Sequence, residues 1–466
     1  MIQKKGIADL FQLAKLGNLC RGWFVSRLVR ASLVLGAAAL AISSAGLFGR
    51  APGLRGEANT ARPSAPFEPP GTPYRTVSVA GCASAACHGG PATTSLSDKL
   101  DSHTWQGSAT HCLACDPHTQ AFAALESPLA KSIMDRLRSS VMEATEDVRC
   151  LACHTNPALA SSEVNNRERS LRRDGVSCEA CHGNASKWLH SHTTWTAADR
   201  CAGYERSGMT KLYDLGERAL ACAGCHVGAP AAQGYPVRDM NHDMIAAGHP
   251  RLNFDFADYQ RRLRPHWFER DRMTGAPVGP EFEVRAWLVG RVAHAEAAVR
   301  LTADRTERAA PWPEFAETNC YSCHHQLLPD GWKQRNLAAK PGTAPRQTIW
   351  PLTSPDDAAE LKGLVSTAVV AKLPDDRVLQ VASSLFAKVR GRDSIADWDT
   401  AGQIFLGAAA YERYRVRITK SNPNPDFDVI LNKLRLPHKL GDEWFLTPCQ
   451  FSPMEAASDL KKLLPK

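Results

Sequence analysis

The sequence predicts a mainly α protein in which short helices and loops wrap around groups that are not protein, with a small helical unit at its C-terminal end. Three observations predict it. Apolar runs long enough for a conventional core are few between residues 76 and 335. That same stretch repeats a five-residue cysteine and histidine pattern. Beyond about residue 355 the apolar residues recur with a helical period, for example at Ile404, Leu406, Ala409 and Tyr411 to Tyr414. The chain has 466 residues, 15 Cys and 16 His, and its 44% hydrophobic and 22% charged composition excludes a disordered chain and a multi-span membrane protein. Four regions are expected: a basic segment and apolar stretch over 1–50, a tether over 51–75, a cysteine-motif domain over 76–335, and a linker with helices over 336–466.

Residues 1–30 carry Lys4, Lys5, Lys15, Arg21, Arg27 and Arg30 against Asp9, and residues 31–49 carry no charge. Nineteen helical residues reach about 28 Å, enough to cross a bilayer with the basic flank left on the cytoplasmic side. This sends everything after Arg50 to the periplasmic side of the inner membrane. Ser43-Ser44-Ala45 offers a cleavage site and the long basic region favours retention, so a released protein and one anchored through 31–49 both fit. Residues 51–75 contain six prolines and read as an extended tether.

The repeated pattern is Cys-x-x-Cys-His. It occurs at Cys150-Leu151-Ala152-Cys153-His154, Cys178-Glu179-Ala180-Cys181-His182, Cys222-Ala223-Gly224-Cys225-His226 and Cys320-Tyr321-Ser322-Cys323-His324. About 0.02 matches are expected by chance from this composition, so the motif reads as c-type haem attachment. Two thiols form thioethers to the porphyrin, and the histidine after the second cysteine is held beneath the iron as its proximal ligand. A fifth site is read at Cys82-Ala83-Ser84-Ala85-Ala86-Cys87-His88, with a loop two residues longer; a disulfide or a single thioether are the alternatives there. The expected cofactor is haem c, about five per chain. Structural zinc, the rival for paired cysteines, needs no histidine after each second cysteine.

Of the other cysteines, Cys20 precedes the export segment. Cys112-Leu113-Ala114-Cys115-Asp116 resembles a haem motif whose histidine is an aspartate, and is expected to hold a local disulfide or thiol pair rather than a sixth haem. Cys201 and Cys449 are a candidate disulfide.

Eleven histidines remain once the five proximal ones are set aside, enough to give every iron a second imidazole. The candidates are His118, which opens a stretch with Phe122, Leu125, Leu129, Ile133 and Leu137 on one helical face; His192, with His190 beside it; His242 and His249, in a Gly-, Asn- and Pro-containing loop; and His103, with His325 behind it. His294 is expected to pack in a helix with Val284, Leu288, Val292 and Val299, and His438 is remote from every motif. Methionine would raise the potential relative to histidine, and only Met209, Met240 and Met244 are well placed, so mostly bis-histidine irons of low potential are expected.

These residues resemble the multihaem c-type cytochromes related to the tetrahaem cytochrome that takes electrons from hydroxylamine oxidoreductase. The likeness rests on Gly81-Cys82 through Cys87-His88-Gly89, on Asp174-Gly175-Val176-Ser177-Cys178 through His182-Gly183, and on Cys225-His226-Val227-Gly228. It continues in Met240-Asn241-His242 to Gly248-His249-Pro250-Arg251-Leu252, and in Pro311-Trp312-Pro313-Glu314-Phe315 leading to Cys323-His324-His325. It spans about residues 76–335. It implies an exported electron-transfer protein with closely stacked, largely bis-histidine haems, one of which lacks a strong second ligand, and with donor and acceptor proteins as partners. The chain departs from that family in having five motifs rather than four, and in the Cys112–Cys115 pair with Asp116.

The formal charge of +8 is concentrated before Arg50. Each ferric bis-histidine haem c adds about −1 through its propionates, so the exported part is not basic and nucleic acid is not expected as a partner. No phosphate loop, nucleophile elbow or zinc-protease motif is present. The expected function is single-electron transfer along about five haems without catalytic residues. The alternative is a reductase or oxidase of a small nitrogen or oxygen species at one five-coordinate iron.

Overall fold

The structure is a computed structural model that describes residues 75–90, 108–109, 113, 116–161, 163–196, 200–232, 234–251, 254–263, 265–267, 269, 277–308, 314–317, 366–395, 397–434 and 451–465. The export segment, the tether, the linker over 326–355, and His103, His111, His324, His325, His438, Cys20, Cys112, Cys115, Cys320, Cys323 and Cys449 lie outside the described residues, as does the side chain of Cys201. The described residues fall in one unit, Ala65–Lys466, and the protein is mainly helical with no sheet among them. No described helix is long and apolar enough to cross a membrane.

In the first half the helices are short because their sequences stop them. The helices α1 (Val79–Cys82), α2 (Ala121–Ala124), α3 (Pro128–Leu137), α4 (Val148–His154), α5 (Asn166–Leu171) and α6 (Cys178–His182) span 4 to 10 residues. The stretch expected as one helical face from His118 to Leu137 is broken. Pro117–Gln120 forms a 3-10 turn, α2 follows, and Ser127 then caps α3 with Pro128 at its first position. Proline excludes its predecessor from the helical region and removes an amide donor, so the helix restarts there. Leu129, expected on the buried face, is 51% exposed as a result. A small core of Phe122, Leu125, Ala130, Met134, Cys150, Leu151 and Ala152 holds α2, α3 and α4 together.

The second half follows as α7 (Arg200–Ser207), α8 (Leu215–His226), α9 (His242–Ala246), α10 (Phe256–Arg262), α11 (Phe282–Glu307), α12 (Thr367–Ala371), α13 (Asp375–Arg390), α14 (Trp398–Thr419), α15 (Asp426–Leu434) and α16 (Pro453–Leu463). The expected helix around His294 is α11, which buries Val284, Trp287, Leu288 and Val289. Trp287 stacks on Phe386 of α13 with ring centroids 5.5 Å apart. One apolar core thus runs from Ala219 and Ala223 of α8 through α10 and α11 to α13, α14, α15 and α16. The C-terminal helices share it with the fourth motif's own helix.

Two glycines allow the helices to approach. A Cβ on Gly290 would lie 2.5 Å from Phe256 Cβ, and one on Gly407 would lie 2.4 Å from the Trp287 ring. Gly290→Ala is expected to force α10 from α11 and cost about 1–3 kcal/mol, read as a lowered thermal midpoint. An unchanged midpoint would mean that this contact is not tight.

Candidate metal centres

The helix places each motif's chemistry on one side. Within α4, α6 and the end of α8, residues i, i+3 and i+4 share a face, so both cysteines and the histidine of a motif point the same way. Asp147 and Asp214 cap α4 and α8 with their carboxylates. The loop after α1 accommodates its two extra residues by turns: Cys87 and Gly89 donate to Ser84 O at 2.8 and 2.9 Å, and His88 donates to Cys82 O at 3.2 Å. A Cβ on Gly89 would lie 2.0 Å from Ala83 O, so only glycine closes this loop. None of the eight described motif cysteines is in a disulfide, so each is available for attachment.

The four described motif histidines each face a second histidine, and none is used twice. Ring centroids are 6.3 Å apart for His88 and His192, 6.2 Å for His154 and His249, 6.2 Å for His182 and His266, and 5.9 Å for His118 and His226. Aromatic rings meet at about 4.5–7 Å in any core. The selectivity is what matters: eight of the eleven described histidines form four such pairs, each containing one motif histidine. An imidazole nitrogen ligates a first-row metal at about 2.0–2.1 Å, and the ring centre lies about 1.1 Å behind it, so two imidazoles across one iron place their centroids about 6 Å apart.

The outer nitrogens are also committed. His154 Nδ1 donates to Ala121 O at 2.7 Å, His192 Nδ1 to Trp188 O at 3.0 Å, and His249 Nδ1 to Pro250 O at 2.8 Å. A carbonyl can only accept, so the proton sits on Nδ1 and the Nε2 lone pair is left for a metal. His118 Nδ1 bonds Asp116 Oδ1 at 2.8 Å, and His88 Nδ1 bonds Ser108 Oγ at 3.1 Å. Burial pushes His182 and His226 down to about 4, which keeps these imidazoles neutral as a ligand must be. The thiol pairs, the neutral imidazoles and their spacing fit a porphyrin iron held between two histidines.

The centres adjoin. Cys82 lies beside Cys178, and Cys153 lies beside Cys225. Cys181 interacts with Cys222 and Cys225, and His182 with His88 and His192. The motifs therefore neighbour one another in the order first, third, fourth, second.

Of the ligand candidates read from the sequence, His118, His192 and His249 are each brought to a motif histidine. His242 is in no ring pair with a described motif histidine; its ring meets Phe315 at 5.9 Å, and its amide donates to Glu314 Oε1 at 2.8 Å. His190 belongs to no pair, and His294 lies on α11, where burial pushes it down to about 3. His266 was not singled out by the sequence. It follows Pro265 in a short stretch outside any helix, with no local pattern, and packs beside Trp267 at 5.1 Å.

A mainly helical fold with cysteine-histidine loops and paired imidazoles defines a protein built on covalently attached haem, the c-type cytochrome class. Residues 103–183 match the family model described as cytochrome c554 and c-prime. The resemblance read from the motifs is borne out over those residues: the match supports a multihaem c-type cytochrome related to the partner of hydroxylamine oxidoreductase, and such a family implies covalently bound haem c and electron transfer between redox partners. Among curated proteins and among solved structures there is no match to the chain.

Proposed function

We propose that the protein is an exported pentahaem cytochrome c that passes single electrons between a donor and an acceptor protein on the periplasmic side of the inner membrane. When bound, haem c supplies one-electron chemistry. Cys82 and Cys87, Cys150 and Cys153, Cys178 and Cys181, Cys222 and Cys225, and Cys320 and Cys323 hold it, with His88, His154, His182, His226 and His324 as proximal ligands. His192 would supply the second ligand at the first site, His249 at the second, His266 at the third and His118 at the fourth. His242 and His103 remain candidates for the fifth.

The observation that carries this reading is the pairing of every described motif histidine with a second histidine at about 6 Å. Two strong ligands close an iron to small molecules, which favours a carrier over a reductase or oxidase. The contacts between neighbouring motifs support an electron path in the order first, third, fourth, second. The C-terminal helices act as a cap: Arg251, two residues after His249, donates to Asp399 of α14 at 2.7 Å and so ties the ligand loop to that unit.

The test is haem per chain, from the mass of the intact purified protein and the pyridine haemochrome spectrum. Five haems are expected. Three or fewer would contradict the assignment of the motifs.

A further inference from the structure

We propose that Asp116 is a positioning residue that makes His118 more electron-rich than a second ligand bonded to a carbonyl, such as His192 or His249, and thereby lowers the potential of the His118–His226 centre. The inference rests on the ligation proposed above. His154, His192 and His249 each meet a backbone carbonyl through Nδ1, and His88 meets a hydroxyl. His118 meets a carboxylate at 2.8 Å. A neutral carbonyl only orients the ring. An anion also draws the Nδ1 proton toward itself and makes the imidazole a stronger donor, which favours the oxidised metal.

The arrangement is held firmly. Asp116 Oδ1 accepts both from His118 Nδ1 and, at 3.0 Å, from the His118 backbone amide. Pro117 at the first position of the 3-10 turn fixes the backbone between the two residues. Thr119 Oγ1 donates to Asp116 O at 2.8 Å. The Asp116 side chain is 15% exposed, so water screens the charge only in part. The placement also accounts for the aspartate in Cys112-x-x-Cys115-Asp116. At the position where the other motifs carry their proximal histidine, this segment carries the residue that orients a second ligand for another centre.

The test is a potentiometric titration of the holoprotein, followed by optical and electron paramagnetic resonance spectra, for the wild type, Asp116→Asn and Asp116→Glu. Asparagine keeps an oxygen for the cap and for Nδ1 but removes the charge. One of the one-electron steps is expected to become easier to reduce by about tenfold in its equilibrium ratio, which is 59 mV, with haem content and the low-spin signals of the other centres unchanged. Asp116→Glu keeps the charge and should leave that step near its wild-type position. No movement in the asparagine variant, or equal movement in both variants, would overturn the proposal. His118→Ala separates this from the ligation itself: one iron should become high-spin and bind carbon monoxide, and if none does, the ligand assignment fails rather than the role of Asp116.

Discussion

Replacing Cys178 and Cys181 together by alanine should abolish folding of the motif-bearing half of the protein, not merely remove one haem. The third motif is central among the described ones. Cys178 lies beside Cys82 of the first, Cys181 lies near both cysteines of the fourth, and His182 lies near the histidine pair of the first. The helices around it span 4 to 10 residues, too short to be stable alone, and their apolar core is small. Such a region depends on the porphyrin faces for burial. The expected outcome is loss of protease-resistant protein, with no accumulation of a four-haem species. A stable four-haem protein with wild-type proteolysis resistance would count against this dependence.

The second large effect is expected at Glu179, inside the same motif. Its side chain is 3% exposed and ties two segments together. Oε1 accepts from Val77 N at 3.0 Å and Ala185 N at 2.7 Å, while Oε2 accepts from Val77 N at 3.0 Å and Ser78 N at 2.8 Å. Asp174 reinforces the join by accepting from Ser78 Oγ and Val79 N. The first motif's loop is thus fastened to the third. In Glu179→Gln one oxygen becomes an NH2 that faces amide donors, so at least one buried donor is orphaned. This should cost about 2–3 kcal/mol, read from the thermal or denaturant midpoint.

The pH dependence follows from the same burial. Desolvation raises the Glu179 carboxyl above its ordinary value, against the three amides that lower it. A folded value above the unfolded one means that the native state holds the proton more tightly. Stability therefore falls as pH rises from the ordinary carboxylate range through the raised value, and is level above it. The deficit of Glu179→Gln against wild type should be largest below that window and shrink across it. A pH-independent deficit would show that the charge of Glu179 is not strained by burial.

The proposed attachment sites are legible in the sequence because their chemistry is local: Cys, Cys and His at i, i+3 and i+4 need only one helical turn to share a face. The helix around His294 and those after residue 366 are legible for a similar reason, since an apolar stripe reports the period directly. The second ligands are set by long-range packing. His249 reaches His154 across 95 residues of chain and His118 reaches His226 across 108, yet both stand in segments with their own signals: glycine, asparagine and proline in one, and a helix start in the other. His266 has no such signal, and only the fold brings it to His182. The broken helix between Gln120 and Pro128 was readable from Ser127-Pro128 itself, but the spacing of Leu125, Leu129 and Ile133 masked it.

The central claim is that paired histidines close the irons and make the protein a carrier. Its most direct test is the optical spectrum of the dithionite-reduced holoprotein before and after carbon monoxide, normalised to haem per chain. Five haems are expected, with a spectrum that carbon monoxide leaves unchanged at the four described centres, so that no more than one-fifth of the haem responds. A response from two or more haems per chain would contradict it.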